Sequence, residues 1–118
     1  MRAKDAIGAY GERVAGRWLE AEGLEVVERN WRCPDGELDL VARDGETLVF
    51  VEVKTRSSLA FGHPGEAVTR LKLARLRRLA ARWLAEHDAH AREVRIDVVA
   101  VLRTRAGAAR VEHLRGVG

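Results

Sequence analysis

Apolar positions recur along this chain with two different periods, and the switches between them mark out its elements. Between Lys4 and Glu22, Ile7, Gly11, Val14, Ala15 and Trp18 follow one another at helical spacing. Gly23 stands where a left-handed C-cap would end the turn, which predicts an amphipathic first helix. From Leu24 to Arg32 the β-branched and aromatic residues Val26, Val27 and Trp31 predict a strand, closed by the turn residues Pro34-Asp35-Gly36. Glu37 to Arg43 alternates, with Leu38, Leu40 and Ala42 expected on one face and Glu37, Asp39 and Val41 on the other. After a second turn signal, Asp44-Gly45, a strand is expected from Leu48 to Lys54. Val49, Val51 and Val53 share one of its faces, and Leu48, Phe50, Glu52 and Lys54 the other. These two strands should form a hairpin.

The stretch Arg56 to Gly65 contains Ser57, Ser58, Gly62, Pro64 and Gly65 and reads as a loop. Glu66 to Asp88 predicts a long helix. Its face Leu73, Leu76, Ala80, Trp83, Leu84 should pack on the sheet, while Arg75, Arg78 and Arg82 line the opposite side. Val94 to Leu102, an apolar run broken only by Arg95 and Asp97, predicts a central strand, and Ala109 to Leu114 a weaker edge strand. The resulting order is αβββαββ. One long crossover helix between strands implies a mixed sheet in an α/β or α+β layer architecture.

The chain has 118 residues, 47% of them hydrophobic, enough for one domain with a core that needs neither disulfide nor structural metal. The single Cys33 has no partner for a bridge or a zinc ribbon and is expected to be an ordinary small apolar residue. No apolar run approaches the ~20 residues of a membrane span, and the residues after Met1 are too seldom apolar for a secretory signal, so a cytoplasmic protein is expected. With 21 basic against 18 acidic side chains the net charge is +3, which suits a polyanionic partner.

Candidate chemistry lies on the hairpin, where Asp39, Glu52 and Lys54 are ionisable residues within strands that are otherwise strongly apolar. The turn decides how closely they meet. If Asp44 and Gly45 alone form it, Glu52 lies opposite Glu37 and Asp39 sits on the diagonal. If the turn runs from Asp44 to Thr47, Asp39 lies opposite Glu52, and Glu37 opposite Lys54. Directly opposed Cβ atoms sit about 4.5–5.5 Å apart, diagonal ones about 7–8 Å. The second register is preferred, because two carboxylates at the shorter spacing can share one divalent cation and would otherwise repel. An oxygen-ligated Mg²⁺ or Mn²⁺ beside Lys54 then points to metal-assisted phosphodiester hydrolysis. The competing reading is a solvated sheet face, although Leu48 and Phe50 on that face make it less than fully solvated.

The runs Asn30-Trp31-Arg32, Gly36-Glu37-Leu38-Asp39-Leu40-Val41-Ala42 and Leu48-Val49-Phe50-Val51-Glu52-Val53-Lys54-Thr55-Arg56 resemble the signature of the YraN family of predicted endonucleases. Gly11-Glu12, Phe61-Gly62, Glu66-Ala67-Val68 and Asp97-Val98-Val99 fit the same pattern. The resemblance implies a restriction-endonuclease-like, PD-(D/E)XK fold, similar to that of archaeal Holliday-junction resolvases. It makes Asp39 and Glu52 metal ligands, Lys54 the catalytic lysine and Glu12 an additional acidic residue from the first helix. The chain departs from the literal motif in having Leu38 rather than proline before Asp39, and Pro34-Asp35 matches only the letters.

DNA is the expected partner, with branched or irregular structures suggested by the resolvases, and a homodimer would supply the two sites that junction cleavage needs. Arg56, Arg75, Arg78 and Arg82 are the candidate phosphate contacts, or else three of them only solvate the outer face of the second helix. The class-distinct alternative is a non-catalytic nucleic-acid-binding or adaptor module. His63 in the loop is a lesser phosphate candidate. His87 and His90 are expected to be solvated at a helix end, and Asp97 to be structural, paired with an arginine.

Overall fold

The computed structural model describes residues 3–56, 69–104 and 107–118, with side chains from Ala6 onward. Its elements are α1 (Ala3–Ala21), β1 (Glu25–Cys33), β2 (Gly36–Asp44), β3 (Thr47–Arg56), α2 (Arg70–Glu86), β4 (Glu93–Leu102) and β5 (Arg110–Leu114). The expected αβββαββ order is present. The five strands form one sheet in the order β1-β2-β3-β4-β5, antiparallel except for the parallel pair β3 and β4. A parallel pair cannot be joined by a tight turn, and α2 lies in the chain between the two. The architecture is a mixed sheet flanked by two helices, an α+β fold. No helix among the described residues is long and apolar enough to cross a membrane.

Each face of the sheet buries one helix. Ala15 and Leu19 of α1 pack with Leu40, Ala42, Val49, Val51, Val99 and Val101. Leu76, Leu79, Ala80 and Trp83 of α2 pack with Leu38, Val41, Leu48, Phe50 and Ile96 on the other side. The two hairpins turn tightly. Cys33 pairs with Gly36 around Pro34-Asp35, and Asp44 with Thr47 around Gly45-Glu46. Gly45 has φ 61° at the first loop position, as the hairpin turn that begins with glycine requires.

The expected alternation of β2 fails at one place. Leu40 and Ala42 face α1, but Leu38 faces α2, so the strand changes face at Asp39. Across from it on β1, between the pairs Arg29–Leu40 and Trp31–Leu38, Asn30 has a left-handed φ of 52°. A period of two cannot survive that backbone turn.

A second correction concerns α2, which begins at Arg70 because Thr69 is extended rather than helical, while the expected helical residues 66–68 lie outside the described ones. Thr69 is extended (φ −89°, ψ 166°) and its hydroxyl accepts the Lys72 N–H at 3.2 Å, an N-cap that sets the start. The helix ends at Glu86, short of Asp88. Most of the expected 56–65 loop, including His63, lies outside the described residues, as do Phe61-Gly62 and Glu66-Ala67-Val68.

Asp97 of β4 is fully buried and its charge is answered on every side. Arg95 donates Nε to Oδ1 at 2.9 Å and Nη2 to Oδ2 at 3.0 Å, and the Gly116 N–H donates to Oδ1 at 2.9 Å. His113 Nε2 lies 2.7 Å from Oδ2, and Trp18 Nε1 donates to His113 Nδ1 at 3.3 Å. An indole N–H can only donate, so Nδ1 accepts and the imidazole proton sits on Nε2, facing Asp97. Burial pushes the Asp97 carboxyl up, but the bonds from Arg95, Gly116 and His113 outweigh it and hold it below its ordinary value. The network ties α1, β4, β5 and the C-terminal residues together.

Asp97→Asn should therefore cost about 3 kcal/mol, because Arg95 loses the buried carboxylate it holds at 2.9 Å and keeps only the partly exposed Asp44 at 3.4 Å. For a depressed carboxyl the stabilisation is present above the ordinary value and disappears as pH falls through the folded one. Urea unfolding of both proteins at pH 7 and pH 3 checks this. The gap between them should shrink at the lower pH, and a gap below about 1 kcal/mol at pH 7 would contradict the assignment.

Candidate metal centre

The site begins at a close helix–strand approach. A Cβ on Gly11 would overlap the Thr55 hydroxyl, so glycine is what lets α1 settle against β3. That contact fixes the next residue, Glu12, half-buried beside the sheet and hydrogen-bonded to Asn30. Glu12, Glu37 and Asp39 each present a carboxylate oxygen within 4.8 Å of the others. Glu37 is steadied by Arg32 Nε at 2.7 Å. The left-handed Asn30 was no candidate from the sequence as a site residue, although an asparagine inside a strand pattern is a signal for such a backbone.

Asp39 occupies the point where β2 and β3 part. The pairing follows the preferred register from Asp44–Thr47 to Leu40–Val51, then stops. One residue further, Asp39 Oδ2 accepts the Val53 N–H at 2.8 Å, so a side chain takes the amide that a continuing ladder would give to backbone. The expected direct pairs Asp39–Glu52 and Glu37–Lys54 are consequently absent from the ladder, while on its other edge β2 stays paired with β1 through Arg32–Glu37. Glu52 is not among the three clustered carboxylates, yet it is near enough for its charge to act on Asp39.

Alternation along β3 puts Glu52 and Lys54 on the face of Leu48 and Phe50, toward α2, whereas Glu12 arrives from α1. Asp39, where the β2–β3 ladder ends, feels charges from both sides, Glu12 and Glu37 on one and Glu52 on the other. On the α2 side a further charge joins them: the Lys72 amine lies within hydrogen-bonding range of Lys54, whose charge depresses it. Lys72 is a site residue that the arginine stripe of the second helix concealed.

Burial is the largest cause pushing the Asp39 carboxyl up from 3.8 to about 7; the Val53 N–H opposes it, and Glu52, Glu12 and Glu37 reinforce it. Glu12 is raised in the same way, by burial first, against the bond from Asn30. Such a cluster is uncomfortable without a cation. Its donors are all carboxylate oxygens, which suit a hard divalent ion such as Mg²⁺ or Mn²⁺, and the crowded negative charge is what that ion would offset. Asp39 with Glu12 and Glu37 fits it most closely, and Glu52 lies next to them.

The remaining candidates divide. Arg82 is engaged by Asp35 at 3.0 Å and Glu86 at 2.7 Å, so its charge is already answered. Arg75 and Arg78 are exposed on the outer side of α2. The Arg56 carbonyl accepts the Arg103 N–H at 2.8 Å, which anchors the end of β3 to the residue after β4. His87 is not simply solvated: it stacks on Trp83 at 4.1 Å between centroids and meets Glu28 at 3.0 Å through Nε2. His90 is exposed, and neither histidine joins an acidic cluster among the described residues.

Comparison with known proteins gives a family rather than an activity. A model described as uncharacterised protein family UPF0102 matches residues 11–101. A UPF0102 protein of Arthrobacter sp. (strain FB24) is 58% identical over 118 residues, covering 100% of both chains. UPF0102 proteins of Frankia casuarinae and Frankia alni are 60% and 62% identical over 116 residues. The matches cover 98% of this chain in each case, and 98% and 97% of those proteins.

Two outcomes follow for the metal-free protein. Because the Asp39 proton is held more tightly in the folded chain, the contribution of Asp39 to stability is fully present below the ordinary 3.8 and is lost as pH rises through about 7. Mg²⁺ should reverse that loss, raising the melting temperature more at pH 8 than at pH 5, by an amount equivalent to about 2.7 kcal/mol at 100 times Kd. Asp39→Asn keeps an acceptor for Val53 but removes the charge. It should melt higher than the parent at pH 8 without metal and lose the Mg²⁺ response, and thermal denaturation across pH with and without Mg²⁺ measures both.

Proposed function

The chain belongs to the uncharacterised protein family UPF0102, and from that premise we propose that it is a divalent-metal-dependent endonuclease hydrolysing DNA phosphodiesters. The observation that carries this reading is the split beside Asp39. Carboxylates of α1 and β2 gather on one side of it and the ammonium of Lys54 stands on the other. Metal-assisted phosphodiester hydrolysis needs this pairing of hard oxygen ligands with a nearby fixed cation.

In this reading Asp39 and Glu52 are metal ligands, with Glu12 as an additional acid and Glu37 beside it. A bound Mg²⁺ or Mn²⁺ would supply an activated water and neutralise charge on the phosphoryl oxygens. Lys54 stabilises the negative charge that grows on the phosphate as its bond to the leaving oxygen breaks. Val53, by holding Asp39 Oδ2, fixes the carboxylate and leaves its other oxygen for a ligand. The motif resemblance to YraN proteins and to the PD-(D/E)XK fold supports the same assignment of roles. Exposed Arg75 and Arg78, with Arg56 at the end of β3, offer charge for the DNA backbone. Branched or irregular DNA is the favoured substrate, which a homodimer would cut at paired sites.

The test is cleavage of single-stranded, duplex and four-way-junction DNA with Mg²⁺ or Mn²⁺. Lys54→Ala and Asp39→Asn should each slow it by about a hundredfold or more. Activity untouched by both substitutions would refute the site. Tight binding that weakens steeply with salt, with no cleavage under either metal, would identify a non-catalytic nucleic-acid-binding module instead.

A further inference from the structure

The contact between Lys54 and Lys72 is not a packing requirement, and it sets two like charges against one another. Its position follows from the fold. Parallel β3 and β4 are connected through α2, so the helix runs opposite to β3. Leu76 of α2 and Phe50 of β3 share one core cluster. Moving one turn toward the start of the helix, about 6 Å, reaches Lys72. Moving about 6.6 Å toward the end of β3 reaches Glu52, with Lys54 two residues beyond. Lys72 therefore overhangs this end of β3, with its amine in hydrogen-bonding range of Lys54 and Glu52 close by.

Two ammonium groups at that distance repel, although both lysines are only partly buried and have long flexible stems with which to separate. The helix start itself is not the receptor for an anion here, because the Lys72 N–H is already bonded to Thr69 Oγ1. Glu12, Glu37 and Asp39 lie toward α1 and β2, and among the described residues Glu52 beside the amines is one negative charge against two positive ones, so the pair keeps an excess charge with which to receive an anion.

We propose that Lys72 and Lys54 together form the seat for a phosphate group of the nucleotide chain, which makes the first turn of α2 part of the substrate site. This rests on the nuclease reading for the identity of the substrate. The seat itself stands on the geometry of the two lysines. Each ammonium donates to a different non-bridging oxygen, and the anion between them removes their repulsion. Lys72 in this role touches the substrate and works mainly through binding, leaving Lys54 nearer the chemistry.

The experiment has two arms. In the first, inorganic phosphate is titrated into the full chain while the side-chain methylene resonances of the lysines are followed by NMR. Lys54 and Lys72 should shift together with one dissociation constant. Lys72→Ala should weaken the binding read at Lys54 by about tenfold, whereas Arg92→Ala, which alters only an exposed ion pair with Glu46, should not. Lys72→Ala should also melt no lower than the parent, since it relieves a repulsion; a structural lysine would lower the melting temperature.

In the second arm, DNA cleavage is measured under saturating metal. Lys72→Ala should raise KM by about tenfold with a smaller effect on kcat, and Lys72→Arg should restore most of the affinity. Phosphate shifts that leave Lys72 unmoved, or an unchanged KM in Lys72→Ala, would overturn the proposal while an active parent enzyme keeps the nuclease reading intact. Joint phosphate shifts in a protein that cleaves no DNA with either metal would do the reverse, supporting the seat and refuting the nuclease.

Discussion

A single amide of β3 bonds to a carboxylate where it could have bonded to a strand, and the geometry of the molecule turns on that exchange. Up to Leu40 and Val51, β2 and β3 are an ordinary antiparallel pair. At the next step the Val53 N–H goes to Asp39 Oδ2, and the two strands separate. The amide stays satisfied, which matters because an orphaned buried donor costs about 1–3 kcal/mol. The separation can thus be maintained in the folded state, and beyond it Asp39 and Glu52 are free of the β2–β3 ladder. β1 accommodates it with the left-handed backbone of Asn30, whose side chain in turn holds Glu12.

Two aspartates show how environment, rather than residue type, assigns a task. Asp97 is the more deeply buried, yet its carboxyl lies below the ordinary value, because a guanidinium, an imidazole and a backbone amide all donate to it. Asp39 is only partly covered, yet its carboxyl rises to about 7, because one backbone donor cannot offset burial and three neighbouring acids. The first arrangement is complete and its contribution is cohesion. The second is incomplete in charge, and groups driven apart in this way mark places where a fold holds unfavourable electrostatics in reserve for a ligand.

Much of this architecture is legible in the residues themselves. The order of elements follows from the change between periods of 3.6 and 2, and the hairpin register holds from Asp44–Thr47 to Leu40–Val51, although the facing acids Asp39 and Glu52 that recommend it do not pair in the ladder. What escapes is whatever depends on a departure from period. Leu38 and Leu40 read as neighbours on one face, and only the coordinates show that Asp39 turns the strand between them. Thr69 carries the signature of a cap, but the apolar rhythm starting at Glu66 outweighs it on paper. His87 looks like a polar residue at a helix end, and its stacking on Trp83 depends on Glu28 arriving from β1. Lys72 is hidden for the most general reason: its meaning lies in a residue of another element, and no spacing along one helix can disclose that.

The site is consequently a product of tertiary packing rather than of any one motif. Glu12 reaches it only if α1 closes on Thr55, which Gly11 alone permits, and Lys72 reaches it only if α2 lies on Phe50 through Leu76. The two helices approach from opposite faces, one bringing an acid and the other an amine, and they meet because the sheet is open between Asp39 and Glu52. A continuous ladder at that point would leave the same residues on the page and separate them by a wall of backbone hydrogen bonds. Glu12 therefore comes from the α1 side and Lys72 from the α2 side, with Glu52 and Lys54 of β3 beside the point where the ladder stops.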